Sequence, residues 1–245
     1  MIFTNNINVN TNVNAIYFIH IPKTSGLSLK SKKIIKLGHK YNVTGVKGNG
    51  FYKFPKESDN TWLKYSYPEK NNLIVTIIRN PFDLLCSYYF HGEELKKNGE
   101  FTHSGWDCVN FIHQFKSFKE FISAYCNKNF KWHHPTLKNF LFSQLFNEKH
   151  VCVPDIIIKY EYLNDAIKIL NKKGFKIKPQ KHINKSVRKQ FKYTTYYDKE
   201  MIKKVNKKCK RELQTFKYNF QNDLSSKYFI LKPTVKYSIF EDKIY

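Results

Sequence analysis

Short apolar runs alternate with amphipathic stretches along most of the 245-residue chain. Three runs rich in apolar residues predict buried strands, at residues 16–20, 73–78 and 155–158. Helices are predicted from the longer segments, at 26–37, 81–97, near 117–127, near 135–147, 161–172 and near 198–216. A short strand is predicted near 42–46, whereas the stretch 47–72 has no clear pattern.

Strands that alternate with helices predict an α/β protein with a parallel sheet, and such sheets hold ligands at the carboxyl ends of their strands. No internal repeat or flexible linker interrupts the pattern, and a chain of this length can bury one good core. We therefore expect a single domain over residues 1–245, with a core of about 14–220 and a C-terminal extension, 221–245.

The chain is strongly basic, with a net charge of +24. Residues 159–217 alone contain 19 Lys and Arg against five Asp and Glu. A positive field of this size attracts polyanions, but Asn, Ile, Phe and Tyr are also abundant, a bias that AT-rich coding DNA produces. A polyanionic partner and a coding bias therefore both remain possible explanations of the charge.

Only three of the 43 basic residues are Arg, namely Arg79, Arg188 and Arg211. Arginine can bind a phosphate bidentately, whereas lysine cannot.

Other composition signals exclude several classes of protein. The five cysteines are scattered and odd in number, which favours reduced thiols over a disulfide framework, and no spacing predicts a metal site. No window of about 18 apolar residues predicts a membrane helix, and the N-terminus lacks the pattern of a signal peptide. The expectation is a soluble, cytoplasm-like protein without a membrane span.

The first motif follows the strand at 16–20. The apolar run ends at Pro22, and Lys23-Thr24-Ser25-Gly26 leads into the predicted helix. A strand, a small-residue turn and a helix start form an anion site, because backbone N–H groups converge there and the helix dipole adds positive charge. The motif is not a Walker A loop, in which the lysine follows the second glycine.

The second motif follows the strand at 73–78. Asn80 and Pro81 predict a helix start, with asparagine as N-cap and proline at the first helical position. Arg79 is then placed at the end of a parallel strand, and Ser87 two turns into the helix.

Both motifs resemble those of the sulfotransferases that use 3′-phosphoadenosine 5′-phosphosulfate (PAPS), and they occur in the order of that family. Pro22 to Leu29 is similar to the family's 5′-phosphosulfate loop, and Arg79 with Ser87 to its 3′-phosphate motif. The resemblance is to the carbohydrate, Golgi-type enzymes in a soluble form. It implies a three-layer P-loop-like fold with a central parallel sheet, PAPS as co-substrate, and a hydroxyl acceptor that is a carbohydrate, such as an anionic glycan.

The resemblance also implies roles for individual residues. Lys23 would stabilise charge on the leaving oxygen, and Arg79 and Ser87 would hold the 3′-phosphate. The loop residues that would bind the cofactor with Lys23 are Thr24, Ser25, Gly26, Leu27 and Ser28. Ser25 and Leu27 depart from the Gly and Thr that the family usually has there, so one hydroxyl ligand is lost. Arg188, in a basic loop near the C-terminus, is the candidate for a second 3′-phosphate contact.

The general base is chosen among several residues. His39 follows the first predicted helix and is preferred for this role. Other candidates follow the second motif or line a possible acceptor cleft: His91, Glu93, Glu94, His133 and His134.

Two alternatives remain from other classes. A nucleotide or small-molecule kinase would need Mg²⁺ ligands, and the best strand-to-Asp pattern, Val151 to Asp155, is broken by Pro154. A basic nucleic-acid-binding protein would explain the charge, but no known module is recognisable, so nucleic acid is an unlikely partner.

Overall fold

The structure is a computed structural model. It describes residues 2–3, 16–19, 21, 24, 29–30, 34–37, 51–53, 63–65, 73–99, 112, 114–127, 129, 145, 154–172, 177–179, 192–221 and 230–232. The strand predicted near 42–46 lies outside these residues, as does the helix predicted near 135–147 apart from Leu145.

The described elements are those of an α/β protein. The strands are β1 (Ile2–Phe3), β2 (Ile16–Ile19), β3 (Leu29–Lys30), β4 (Ile34–Leu37), β5 (Phe51–Lys53), β6 (Leu63–Tyr65), β7 (Leu73–Ile78), β8 (Ile156–Lys159), β9 (Lys178–Pro179) and β10 (Ile230–Lys232). The helices are α1 (Pro81–Lys97), α2 (Phe118–Cys126), α3 (Leu163–Lys172), α4 (Lys199–Lys208) and α5 (Lys210–Phe216). Short 3₁₀ turns occur at Tyr160–Tyr162 and Tyr193–Tyr196.

The chain divides into two compact units. The sheet unit contains Met1–Ile78, Leu141–Lys181 and Lys227–Tyr245, and the helical unit contains Arg79–Phe140 and His182–Ser226. Both units combine segments that are distant in sequence. The single domain expected over 1–245 remains a prediction.

The main sheet has the strand order β1-β10-β8-β7-β2-β4-β5-β6. The parallel sheet predicted from the alternating pattern is confirmed at its centre, where β8, β7, β2 and β4 are joined by parallel pairings. Both edges are antiparallel, which the pattern did not predict. One edge includes β10, which lies within the predicted C-terminal extension, and the other is the β5–β6 pair within the stretch that had no clear pattern.

The helix predicted at 26–37 is wrong over its described residues. Leu29–Lys30 and Ile34–Leu37 are strands, and β4 pairs in parallel with β2 from Ile16↔Ile34 to Ile19↔Leu37. Apolar residues recur here at intervals of two, at Leu27 and Leu29 and again at Ile35 and Leu37. That period is the period of a strand, and pairing with β2 satisfies the backbone of this segment.

The core of the sheet unit lies between the central strands and α3. Alternate residues of three strands face the helix, as the two-residue period of a strand requires. The buried cluster consists of Phe18, Val75, Ile77, Ile156, Ile158, Ala166, Ile167, Leu170 and Ile177. Residues on the opposite face of β7 and β8, such as Thr76 and Ile157, are fully buried as well. This double burial explains the near-continuous apolar runs in the sequence.

The helical unit confirms the helix predicted at 81–97, which the structure places at Pro81–Lys97, and the helix predicted near 117–127. The single helix predicted near 198–216 is wrong in one respect, because α4 and α5 are separate helices that meet at Cys209. Cys209 is buried, and its sulfur lies 3.7 Å from the hydroxyl of Tyr125 on α2. The break between α4 and α5 therefore occurs at a tertiary contact with α2, and the sequence has no Gly or Pro there that would predict it.

Candidate functional site

Arg79 lies where the sequence predicted it, between β7 and α1. β7 ends at Ile78 and α1 begins at Pro81, so Arg79 precedes the helix N-cap by one residue. The Nε of Arg79 donates to Oδ2 of Asp83 at 2.5 Å, and the two side chains are only 11% and 13% exposed. A carboxylate at this distance orients the planar guanidinium. Sequence analysis missed Asp83, although its spacing of four residues from Arg79 was a usable signal.

Asn80 fixes the start of α1. Its side-chain oxygen accepts a hydrogen bond from the backbone N–H of Phe82, and Pro81 occupies the first helical position, so both predictions are confirmed. The side-chain amide donates to the carbonyl of Asn219 at 2.8 Å and lies 3.3 Å from the hydroxyl of Tyr193. Asn80 is fully buried, so it joins the helix start to two later segments of the helical unit.

Ser87 lies on the same side of α1 as Asp83. Arg79, Asp83 and Ser87 follow one another at intervals of four residues, the spacing of neighbours on a helix surface. Ser87 is buried, with 3% of its surface exposed. The structure thus brings two predicted phosphate ligands onto one stripe, with Ser87 reaching solvent over only a small area.

Three candidates for the general base lie farther along α1. Nδ1 of His91 lies 3.7 Å from Oε2 of Glu94. Oε1 of Glu93 is buried and has no hydrogen-bond partner within the described part of the chain. Burial, followed by the charge of Glu93, raises the pKa of the nearby Tyr89 to about 12. None of these contacts selects one residue, so the choice of base stays a prediction.

Thr24 is the one described residue of the predicted phosphosulfate loop. Its hydroxyl donates to the carbonyl of Ile21 at 2.7 Å, and its backbone N–H points to the same oxygen at 3.4 Å. Thr24 is fully buried. Both of its donors therefore act within the turn that follows β2, and the threonine holds that turn in shape.

The helix that was expected to follow this turn is not found among the described residues. The chain continues into β3 at Leu29, so the contribution of a helix dipole to the first motif loses its support. What remains of the predicted anion site there is the turn itself and the charge of Lys23. The other predicted site residues lie outside the described part of the chain: Lys23, Ser25, Gly26, Leu27, Ser28, His39 and Arg188.

Lys159 is a buried cation that sequence analysis missed. β2, β7 and β8 run parallel and adjacent, so their carboxyl ends share one edge of the sheet, and Lys159 ends β8 opposite Ile78. Lys159 is 3% exposed. Burial lowers the pKa of Lys159 to about 8, against the opposing effect of the charge on Glu161. The signal in the sequence was a lysine directly after three isoleucines, at the edge where parallel sheets bind anions.

Replacing Lys159 with methionine is expected to raise the free energy of unfolding at pH 7 by about 3 kcal/mol, the equivalent of the lowered pKa. Below pH 8 lysine is protonated in both states, and the folded protein bears the full cost of the buried charge. Between the folded pKa of about 8 and the ordinary value of 10.5, the folded state releases its proton first. Wild-type stability therefore rises through this range, and the advantage of methionine disappears above it.

Urea unfolding at several pH values between 7 and 10.5 measures this difference. The matched control is Lys168→Met on α3, where the lysine is exposed and pairs with Asp165 at 3.2 Å. Removing that pair should change stability by less than about 1 kcal/mol. An advantage of Lys159→Met that stays constant with pH would mean that packing, and not the buried charge, is responsible.

The described residues lack two further features, a metal-binding group and a membrane-spanning helix. No group of three or more His, Cys, Asp or Glu side chains among them is arranged to hold a metal ion. In the same part of the chain, no helix has both the length and the apolar surface needed to cross a bilayer. Cys86, Cys126 and Cys209, the cysteines in this part of the chain, form no disulfide.

Comparison of the chain with protein-family models, with curated proteins and with solved structures finds no match. The class of protein is therefore defined by the α/β architecture with parallel central strands, and its function is argued from the site.

Proposed function

We propose that this protein is a PAPS-dependent sulfotransferase that moves the sulfuryl group to an acceptor hydroxyl, on a carbohydrate. The observation that carries the proposal is the position of Arg79 between a parallel strand and the N-terminus of α1, oriented by Asp83. Anions bind at the carboxyl ends of parallel strands and at helix N-termini because backbone donors and the dipole meet there. Ser87, eight residues on, lies on the same helical stripe.

Sulfuryl transfer depends on positioning and on neutralising charge, as phosphoryl transfer does. The acceptor hydroxyl attacks sulfur in line, the S–O bond to the 5′-phosphate breaks, and adenosine 3′,5′-bisphosphate leaves. Lys23 stabilises the charge that develops on the leaving oxygen, and Arg79 holds the 3′-phosphate. The general base, His39 by preference, accepts the proton of the hydroxyl.

The same proposal extends to the fold. The parallel order of β8, β7, β2 and β4, with α3 packed on one face, supports a three-layer P-loop-like architecture. The strands at 29–30 and 34–37 count against it, because such a fold follows its first strand with a helix. The proposed active site therefore relies on the second motif more than on the first.

The kinase alternative is weakened by the position of Asp155. A carboxylate that binds Mg²⁺ in such a sheet stands at the carboxyl end of a strand, near the phosphates. Asp155 precedes β8, at its amino end, and its carboxylate accepts a hydrogen bond from the backbone N–H of Ile74 at 2.8 Å. That bond holds β8 in register with β7, so Asp155 has a structural role.

Calorimetric titration with adenosine 3′,5′-bisphosphate tests the proposal. We expect micromolar binding by the wild type, weaker binding of AMP, and a loss of affinity of at least about tenfold in Arg79→Ala, because a charge-assisted bidentate contact is removed. The matched control is Arg211→Ala, since Arg211 is exposed on α5. That variant should bind as the wild type does.

Two results would overturn the proposal. Absence of binding in a folded wild type would remove the nucleotide site. Equal binding of AMP and adenosine 3′,5′-bisphosphate would show that the 3′-phosphate is not recognised. Turnover of ATP that depends on Mg²⁺ would favour the kinase instead.

A further inference from the structure

The solvent face of α4 carries lysines at regular intervals. Lys199, Lys203 and Lys207 are spaced by four residues, and Lys210 begins α5 three residues later; these four form the lysine row. All four are exposed. Within the described residues none of them takes part in an ion pair. Within the described part of the chain, the row is therefore a line of positive charge without an acidic partner.

The carboxylates near this helix are engaged elsewhere. Asp198 caps α4 through the N–H of Met201 and pairs with Lys119 of α2 at 2.9 Å. Glu200 pairs with Lys204, one turn along, at 2.8 Å. These contacts lie on the flank of α4 that faces α2, so Asp198 and Glu200 are engaged with other lysines and not with the lysine row.

The row is unfavourable for the helix that carries it. Lysines four residues apart repel one another, and Lys199 lies in the first turn, where the helix dipole disfavours a cation. Successive charges are about 6 Å apart along the axis, which is shorter than the screening length of about 8 Å at physiological salt. Their fields therefore add, and a linear polyanion laid along α4 would meet all of them.

We infer that the lysine row is the docking surface of a polyanionic glycan, sulfated or carboxylated. This inference rests on the proposed function, because it specifies the charge class of the acceptor. A glycan fits better than a single-stranded nucleic acid because the surface offers charge without stacking, and duplex DNA is compared directly in the test below. Phe216 is the one aromatic residue between 199 and 217, and it is fully buried. Proteins that bind single strands stack bases on exposed aromatic rings.

The test compares two variants that lose equal charge. One replaces the row, with Lys199→Gln, Lys203→Gln, Lys207→Gln and Lys210→Gln. The control replaces four exposed lysines elsewhere in the helical unit, with Lys96→Gln, Lys97→Gln, Lys116→Gln and Lys192→Gln. Binding of a heparin oligosaccharide and of duplex DNA with a matched number of charges is measured at several salt concentrations.

We expect the row variant to lose at least about tenfold in heparin affinity near physiological salt, and its salt slope to fall by about three, because each of the four lost contacts removes about 0.7–0.9 of a released counterion. The control should change little, and DNA should bind more weakly than heparin. Equal losses in both variants would overturn the inference, as would DNA binding that is tighter than heparin binding and depends on the row.

The result is independent of the cofactor site. The row variant should retain the wild-type affinity for adenosine 3′,5′-bisphosphate, since none of the four lysines has a hydrogen bond or ion pair with Arg79 or Ser87 within the described residues. If the wild type binds heparin through the row but does not bind the nucleotide, the docking surface stands and the sulfotransferase proposal falls.

Discussion

Replacing Lys23 with alanine is expected to slow sulfuryl transfer at least about a hundredfold, while changing the affinity for adenosine 3′,5′-bisphosphate much less. The physical reason is that the ammonium group is proposed to contact an oxygen whose negative charge grows as the S–O bond breaks. An interaction that strengthens only in the transition state affects turnover more than binding. Removing one such donor raises the barrier by about 3–4 kcal/mol.

The assay measures the transfer of labelled sulfuryl groups from PAPS to a panel of mono- and oligosaccharides. Lys23→Arg should recover part of the activity, since it retains the charge but not the shape of the ammonium group. Lys172→Ala, at an exposed lysine of the sheet unit, controls for the loss of one positive charge. If Lys23→Ala lost affinity and turnover equally, Lys23 would be a ground-state ligand and not the stabiliser of the leaving group.

The part of the site that the sequence predicted well depends on local signals. Asn80 and Pro81 predict a helix start through their own side chains, and the β-branched run from Leu73 to Ile78 predicts a buried strand. The structure has both within one residue of the prediction. The position of Arg79 follows from these two boundaries alone, so it needed no knowledge of the tertiary fold.

The first motif was harder to predict because its conformation depends on pairing between distant residues. The sequence pattern after the small-residue turn predicts a helix at 26–37, although Ile34–Leu37 pairs with β2. The β5–β6 pair shows the same limit, since its strands are three residues each and carry little pattern of their own. Short strands are specified mainly by their neighbours.

Asp83 and Lys159 were missed in the sequence because their roles depend on the residues that they meet in the folded protein. Asp83 matters because it meets Arg79, and Lys159 because β8 lies beside β7 with its last residue opposite Ile78. A single sequence shows the residue types but not these encounters. The lysine row is an intermediate case, because the spacing of the lysines is visible in the sequence but the engagement of Glu200 by Lys204 and Lys119 is not.

The second large effect is expected at Asn80. Replacing Asn80 with alanine should lower the free energy of unfolding by about 3 kcal/mol, because it removes the cap of the buried Phe82 N–H and leaves the part-buried carbonyl of Asn219 without its amide donor. For a protein of this size the melting temperature should fall by about 6–12 °C. Circular dichroism during heating and in urea measures both quantities.

Two further variants divide this effect between its causes. Asn80→Ser keeps a side-chain oxygen for the N–H of Phe82 but cannot reach Asn219, so it should recover about 1 kcal/mol of the loss. Tyr193→Phe removes the hydroxyl that lies 3.3 Å from the Asn80 amide and donates to the carbonyl of Phe220. Combined with Asn80→Ala it closes a double-mutant cycle, and a coupling of at least about 0.5 kcal/mol is expected. A coupling near zero would mean that the contact with Tyr193 contributes little, and that the stability supplied by Asn80 comes from the helix cap and from its hydrogen bond to Asn219.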